Sequence, residues 1–308
     1  MTENAQTNTL GRLGNLIGRW VLRRTAPEME DVEARNYRDV SQLLTDGSQV
    51  SFISSFPRSG NTWMRFLLSD VFLQRAGMAT HTELPVPPEK VIPDIYIQPI
   101  AERERELAPG VFVKTHESFD RLMKHFPAAA SRRCRHIYIY RSPEDALISF
   151  YRYHLRAGHL KEKVQDGKDA FCRERVREWN SNVVSYLRAS QNGAEIFLVS
   201  YENLLGQTEP VLSGILEWLG VEHDDSMVQR AVSNMKFDKM VKEVDRGQPA
   251  NGEFTGRGCP GAGAADLKPE TVAAIRKEAG TVIAEMDRLL IRQNGKMGFG
   301  PCEAKAVG

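Results

Sequence analysis

Short apolar runs alternate with longer stretches of helical periodicity along most of the chain. Apolar runs at 50–56, 111–114, 135–140 and 194–200 predict strands, and helical spacing is found at 63–74, from 143 onwards, and at 170–190, 208–219 and 269–292. The Pro-rich stretch 84–99 and the Gly-rich stretch 241–265 predict long loops. Buried strands alternating with helices form parallel sheets covered on both faces, so the pattern predicts an α/β fold with a central parallel sheet flanked by helices.

The N-terminal region differs from this alternating body. Apolar residues at helical spacing within 10–24 stand beside several arginines, which predicts a short basic amphipathic helix. Such a helix could make a peripheral contact with an anionic membrane, although docking on its own domain is the favoured interpretation. We therefore divide the chain into an N-terminal extension of residues 1–45 and a catalytic domain of residues 46–308.

Composition narrows the functional classes. The 308 residues include 41 Lys and Arg against 40 Asp and Glu, a net charge of +1, so no nucleic-acid partner is predicted. The four cysteines form no C-x-x-C pair and no apolar run is long enough for a bilayer, which predicts a cytoplasmic protein. His154 and His159 have no Cys or carboxylate array beside them, so no metal is predicted.

The first motif is the sequence Phe-Pro-Arg-Ser-Gly-Asn-Thr-Trp at 56–63, between a predicted strand and a predicted helix. Gly60 lets the backbone curl around an anion, the helix N-terminus presents free N–H groups, and Arg58 adds a cation. A Walker A loop requires Lys after its final Gly, where this chain has Asn61, so the motif argues against ATP or GTP with magnesium. A capped helix without a ligand is the alternative interpretation.

Two further motifs follow predicted strands. Lys114 and His116 end the second strand, where open α/β sheets hold their chemistry; His116 could act as a base and Lys114 could stabilise charge. Arg141 ends the third strand, and Ser149 lies two turns into the next helix, so both could bind a second phosphate. Taken alone, each motif also fits a purely structural role.

In this order, the three motifs resemble those of the cytosolic-type PAPS-dependent sulfotransferases, over about residues 51–261. The resemblance implies a P-loop-NTPase-like sulfotransferase fold. It also implies transfer of a sulfuryl group from 3′-phosphoadenosine 5′-phosphosulfate (PAPS) to the hydroxyl or amine of an acceptor, with 3′-phosphoadenosine 5′-phosphate (PAP) as product and no metal. Carbohydrate, glycolipid and small aromatic or alcohol acceptors all stay open, and the long polar loop favours a carbohydrate or glycoconjugate. No oligomeric state is predicted.

The resemblance also implies roles for individual residues. His116 would be the general base, with Lys114 and Arg58 contacting the transferring group. The 5′-phosphosulfate would be held by the loop of Pro57, Arg58, Ser59, Gly60, Asn61, Thr62 and Trp63, with Trp63 stacking on adenine. The remaining donor contacts would be Arg141 and Ser149 at the 3′-phosphate, Tyr201 and Phe237 at adenine, and Arg257 and Gly258 closing over the 3′-phosphate.

One segment departs from the family pattern. Residues 254–261 keep the cation Arg257 but lack the Asp-Trp that commonly ends the family's Gly-rich motif. Two other functions stay open at this point: a P-loop kinase-like phosphotransferase, which shares the strand, loop and helix arrangement, and a non-catalytic nucleotide-binding protein.

Overall fold

The structure is a computed structural model that describes residues 27–81, 84–104, 106–158, 160, 167–236 and 260–297. Its sheet, in this part of the chain, consists of β1 (Val50–Ser55), β2 (Val111–Thr115), β3 (Cys134–Tyr140) and β4 (Ile196–Ser200). The strand order is β2-β1-β3-β4, and every pairing is parallel. The predicted α/β fold with a central parallel sheet is confirmed.

Helices connect and cover these strands. In chain order they are α1 (Pro27–Thr45), α2 (Asn61–Arg75), α3 (Pro88–Val91), α4 (Phe119–Met123), α5 (Ala128–Ser131), α6 (Pro143–Arg156), α7 (Gly167–Gln191), α8 (Tyr201–Gly206), α9 (Thr208–Leu219), α10 (Asp225–Asn234), α11 (Ala262–Asp266) and α12 (Pro269–Met297). The helices predicted within the described residues are present. The prediction of an unbroken loop over 241–265 is wrong at its end, where α11 forms.

Strand side chains alternate between two apolar layers. Ile53 and Ile137 face the layer built with α2 and α9. On the other face, Tyr138 packs with residues of α7 and α12, while Phe52 packs with residues of α1. Both faces of the sheet are therefore covered, and a ligand reaches the sheet at its edge, beyond the carboxyl ends of the strands.

Helix α1 lies within the predicted N-terminal extension and had no counterpart among the predicted elements. Its residues Val40 and Leu44 are fully buried and pack with Val50 of β1 and Val113 of β2. The division at residue 45 stays a prediction, and the basic segment 10–24 lies outside the described residues. None of the helices in the described part of the chain has both the length and the apolar character needed to cross a bilayer.

The loop between β1 and α2 turns sharply through two left-handed residues. Gly60 has φ 103°, and Arg58, at φ 69°, is the one non-glycine residue with positive φ in the described ranges. A Cβ on Gly60 would lie 3.0 Å from Cδ2 of Tyr201, a fully buried ring. Glycine is needed at position 60 for both its backbone conformation and the close approach of Tyr201.

Replacing this glycine separates the two effects. Gly60→Ala should lower the free energy of unfolding by more than Gly47→Ala. Both substitutions place alanine at a positive φ, which costs roughly 1–2 kcal/mol. At position 60 the new Cβ would also crowd Tyr201, whereas nothing lies within 4 Å of a Cβ at position 47. Urea denaturation of both variants measures the difference. Equal losses would show that Tyr201 gives way without cost.

His136 of β3 is buried among aromatic rings. Its side chain is 1% exposed, and its ring centroid lies 5.2 Å from that of Phe52 and 5.7 Å from that of Tyr186. Neither ring nitrogen has a hydrogen-bond partner among the described residues. Burial lowers the pKa of His136 from 6.5 to about 3, so the imidazole is neutral in the folded protein.

This histidine should make the fold sensitive to acid. Between pH 6.5 and about 3 the unfolded imidazole binds a proton and the folded one does not, so stability falls as pH falls through this window. At about pH 5 the loss from one such group is on the order of 2 kcal/mol. His136→Phe should therefore lose less stability than the wild type between about pH 7.5 and pH 5 in urea denaturation. Identical pH dependence in both proteins would contradict this prediction.

Candidate active site

Asn61, the first residue of α2, ties the loop after β1 to the sheet. Its Nδ2 donates to the Ile53 carbonyl at 3.0 Å, to Ser55 Oγ at 3.2 Å and to the Thr115 carbonyl at 3.1 Å. Asn61 is buried, as is Ser59 within the loop. The side-chain amide of Asn61 is thus engaged by the ends of β1 and β2, while its Oδ1 and Ser59 Oγ are buried without a partner among the described residues.

Arg58 links the loop to the residues that follow β3. Its Nε donates to Ser149 Oγ at 3.3 Å, and its guanidinium lies 5.3 Å from the ring centroid of Tyr153. Its backbone carbonyl accepts a hydrogen bond from Arg141 Nη1 at 2.9 Å. The two predicted anion-binding groups, the loop after β1 and the Arg141 and Ser149 pair, are therefore in direct contact.

Arg141 lies over the ring of Tyr201, with 4.1 Å between the guanidinium carbon and the ring centroid. Trp179 Nε1 donates to its backbone carbonyl at 3.1 Å. The Nε of Arg141 is buried and has no hydrogen-bond partner in the described part of the chain. Burial raises the pKa of neighbouring Glu202, and the Arg141 charge opposes that rise.

His116, one residue beyond β2, is held by the end of β1. Its Nδ1 lies 3.0 Å from the Ser55 carbonyl and 3.3 Å from Ser55 Oγ. A carbonyl oxygen only accepts, so Nδ1 carries the proton and Nε2 keeps a lone pair. Burial first, and then the positive charge of Lys114, lowers the pKa of His116 to about 3. The imidazole is therefore neutral at physiological pH.

Helix α7 fixes the backbone of His116. Asn182 Nδ2 donates to the His116 carbonyl at 3.1 Å, and Asn182 Oδ1 accepts from the Tyr138 hydroxyl at 2.9 Å. Asn182 was not predicted as a site residue. It lies three positions after Trp179 and four before Tyr186, so a polar residue on the buried face of a helix was the available signal.

Lys114, the penultimate residue of β2, forms a buried ion pair with Asp94. The two residues are 9% and 3% exposed. Burial alone would raise the pKa of Asp94, but the charge and hydrogen bond of Lys114 more than offset burial and leave that pKa lowered. Asp94 was also missed, because it lies 20 positions before Lys114 in the irregular 84–99 stretch, where no periodic pattern places it.

The other predicted residues are distributed as follows. Pro57, on the loop, and Thr62, in the first turn of α2, are partly exposed. Trp63 is 4% exposed, and its Nε1 donates to the Met235 carbonyl at 2.7 Å. Phe237, Arg257 and Gly258 lie outside the described residues.

The described residues resume at position 260, and the first of them lie beside α6. Asp145, in the first turn of this helix, accepts from the Gly261 N–H at 2.8 Å and from the Gly263 N–H at 2.6 Å. A Cβ on Gly263 would approach the Glu144 carbonyl carbon and oxygen to 2.5 Å, so the backbones are in close contact there. Gly261 and Gly263 are therefore anchored to a residue four positions after Arg141 in the sequence.

Comparison with known proteins gives several sulfotransferase relatives. A flavonol 3-sulfotransferase of Flaveria bidentis is 23% identical over 203 residues, which cover 61% of this chain and 64% of the relative. Cytosolic sulfotransferase 17 of Arabidopsis thaliana is 24% identical over 255 residues, 73% of this chain and 71% of the relative. The chain thus spans less than two thirds of the length of the first of these relatives.

Solved structures share the fold. A mouse sulfotransferase complexed with PAP has a TM-score of 0.59 at 16% identity, covering 85% of this chain and 95% of that one. A retinol dehydratase complexed with androsterone and PAP has a TM-score of 0.58 at 16% identity, covering 81% and 85%. The prediction of a P-loop-NTPase-like sulfotransferase fold is confirmed.

The family model described as the sulfotransferase domain matches residues 49–254. The match includes the loop after β1, the Lys114 and His116 strand end, and the Arg141 and Ser149 pair, whose side chains the preceding contacts bring to one edge of the sheet. It covers well over half of the chain. The chain therefore belongs to the sulfotransferase domain family.

Proposed function

We propose that this protein transfers a sulfuryl group from PAPS to a hydroxyl group of an acceptor. The observation that carries the proposal is the bridge formed by Arg58, whose Nε donates to Ser149 while its carbonyl accepts from Arg141. A donor with phosphate groups at both the 3′ and the 5′ position of one nucleoside requires two anion-binding groups side by side. The loop after β1 and the residues after β3 supply them.

Buried polar atoms around this bridge suit such a donor. Ser59 Oγ and Arg141 Nε are hydrogen-bond donors with no acceptor among the described residues. Anionic oxygens would satisfy both, since buried donors are normally paired and charge-assisted hydrogen bonds are the strongest. We assign the 5′-phosphosulfate to residues 57–63 and the 3′-phosphate to Arg141 and Ser149. Trp63 and Tyr201 stay the predicted adenine contacts, and Phe237, Arg257 and Gly258 stay predicted donor contacts.

The chemistry we propose uses His116 as the base. His116 Nε2 accepts the proton of the acceptor hydroxyl, whose oxygen forms a bond to sulfur. The bond between sulfur and the bridging phosphate oxygen breaks, and its electron pair stays on that oxygen, so the 5′-phosphate of the departing PAP carries one more negative charge than it did in PAPS. Arg58, Lys114 and the N–H groups at the start of α2 stabilise this charge as it develops.

The acceptor is proposed at the level of its reacting group. A neutral imidazole suits removal of a hydroxyl proton, and the relatives include one named for a flavonol and one solved with androsterone. The polar 241–265 stretch is the reason for keeping a glycoconjugate in the same screen. A panel of a phenol, a flavonol, a steroid alcohol and a methyl glycoside with labelled PAPS tests these classes.

PAP binding separates this function from the alternatives. PAP should raise the melting temperature of the wild type, whereas ATP with Mg²⁺ should not, because a ligand stabilises only the folded state that binds it. Arg141→Ala should weaken PAP binding about 10- to 100-fold in calorimetry, since it removes charge-assisted contacts. Arg177→Ala, which changes an exposed arginine of α7, is the matched control. Stabilisation by ATP with Mg²⁺ and not by PAP would favour a kinase-like phosphotransferase instead.

His116→Ala should reduce turnover by about 10²–10⁴-fold with PAP affinity nearly unchanged, because the imidazole acts on the acceptor proton. The control is His223→Ala, which changes a histidine that follows α9 and is hydrogen-bonded to Ser213 of that helix.

The pH dependence gives a second test of His116. Because the pKa of His116 is lowered to about 3, its unprotonated form persists as pH falls, and kcat/KM should stay flat from about pH 8 to about pH 5. A fall in kcat/KM near pH 6.5 that disappears in His116→Ala would keep His116 as the base but contradict its lowered pKa, whereas unchanged turnover in His116→Ala would remove it from the mechanism.

A further inference from the structure

Lys114 belongs to the second motif, but Asp94, its ion-pair partner at the proposed site, belongs to none of the three motifs. Burying an ion pair costs desolvation that its attraction often only balances, so stability alone gives little reason for charges at these positions. Lys114 lies at the end of β2, two residues before His116, and Asp94 and Lys114 both act electrostatically on the His116 imidazole. The pair is therefore part of the electrostatic environment of the proposed base.

Backbone pairing aligns the two residues. The Lys114 N–H donates to the Pro93 carbonyl at 2.9 Å, and the Ile95 N–H donates to the Lys114 carbonyl at 3.0 Å. Asp94 thus forms an isolated parallel bridge with Lys114 along the free edge of β2. The backbone pairing therefore places the carboxylate at position 94 beside the ammonium group of Lys114.

The carboxylate is also held in one orientation. Asp94 Oδ2 contacts Lys114 Nζ, while Oδ1 accepts from the Tyr96 N–H at 3.1 Å. The Asp94 N–H donates to Gln98 Oε1 at 2.9 Å. Both carboxylate oxygens therefore have partners, and rotation of the side chain would break a hydrogen bond.

Helix α1 secures the loop that carries Asp94. Asn36 is fully buried, and its Nδ2 donates to the carbonyls of Ile95 at 2.9 Å and Gln98 at 2.8 Å. Its Oδ1 accepts from the Ile100 N–H at 2.8 Å. One side chain thus makes three hydrogen bonds to the backbone of the 95–100 loop.

We propose that Asp94 is a positioning residue for the transfer reaction, which holds the Lys114 ammonium at the end of β2 before the donor binds. The proposal rests on the proposed function. A cation that is already in place needs no reorganisation when negative charge develops on the donor, and this preorganisation lowers the barrier more than it strengthens ground-state binding. Loss of Asp94 should therefore appear in kcat rather than in the affinity for PAP.

A double-mutant cycle tests this with Asp94→Asn, Lys114→Met and the double variant. Turnover is measured as PAP release from PAPS in the presence of 4-nitrophenol, which counts transfer to the phenol and to water alike. Asp94→Asn should lower kcat at least about tenfold, with the KM for PAPS and the calorimetric Kd for PAP within about threefold of wild type. The double variant should be no slower than Lys114→Met alone, because the two residues act as one unit.

Unchanged kcat in Asp94→Asn, or effects of the two substitutions that multiply, would overturn the proposal. Asp94→Asn leaves a buried unpaired lysine, whereas Lys114→Met leaves a carboxylate that keeps its hydrogen bond from the Tyr96 N–H, and the double variant keeps neither charge. If Asp94→Asn folds poorly, the comparison therefore uses Lys114→Met and the double variant. In that case, equal kcat in these two variants supports the proposal and a further loss in the double variant overturns it. A wild type that binds no PAP and releases none from PAPS would instead contradict the proposed function itself.

Discussion

The side-chain amide of Asn61 is the contact on which the rest of the site depends. It joins the carbonyl of Ile53 in β1 to the carbonyl of Thr115 in β2, and it also reaches the Ser55 hydroxyl. The same serine holds the His116 ring. The cationic loop and the proposed base are therefore parts of one hydrogen-bonded unit, and their separation is set by the spacing of two parallel strands. Strand geometry, rather than loop conformation, determines where the base lies relative to the anion-binding residues.

The same charges serve two purposes in this arrangement. Arg58 and Lys114 are the groups that would contact the donor, and both also lower the pKa of His116, although burial contributes more. A cationic, partly buried edge of the sheet would thus attract the proposed anionic donor, and it keeps a nearby imidazole unprotonated. Lys114 lowers the pKa of His116 and the Asp94 carboxylate raises it, so Asp94 partly cancels the effect of the lysine on the imidazole.

Sequence patterns predict the part of this architecture that follows from periodicity. The four strands and the convergence of the residues after β1, β2 and β3 could be predicted, because carboxyl ends of parallel strands share one edge. Helix α1 was missed, since its buried residues Tyr37, Val40 and Leu44 lie in an otherwise polar stretch. Asp94 and Asn36 could not be found in this way, because their roles come from contacts with residues 20 to 64 positions away. Phe237, Arg257 and Gly258 remain predictions.

The contacts of Trp63 with Met235 and of Asp145 with Gly261 and Gly263 mark two fixed points on either side of residues 237–259. Trp63 belongs to α2 and Asp145 to α6, so each point is made by a side chain of a helix that packs in the core. The entropy of closing a loop grows slowly with its length, by about 0.6 kcal/mol for each doubling. Because this cost rises so slowly, the two contacts set where the ends of the interval lie while stability leaves the number of residues between them nearly unconstrained.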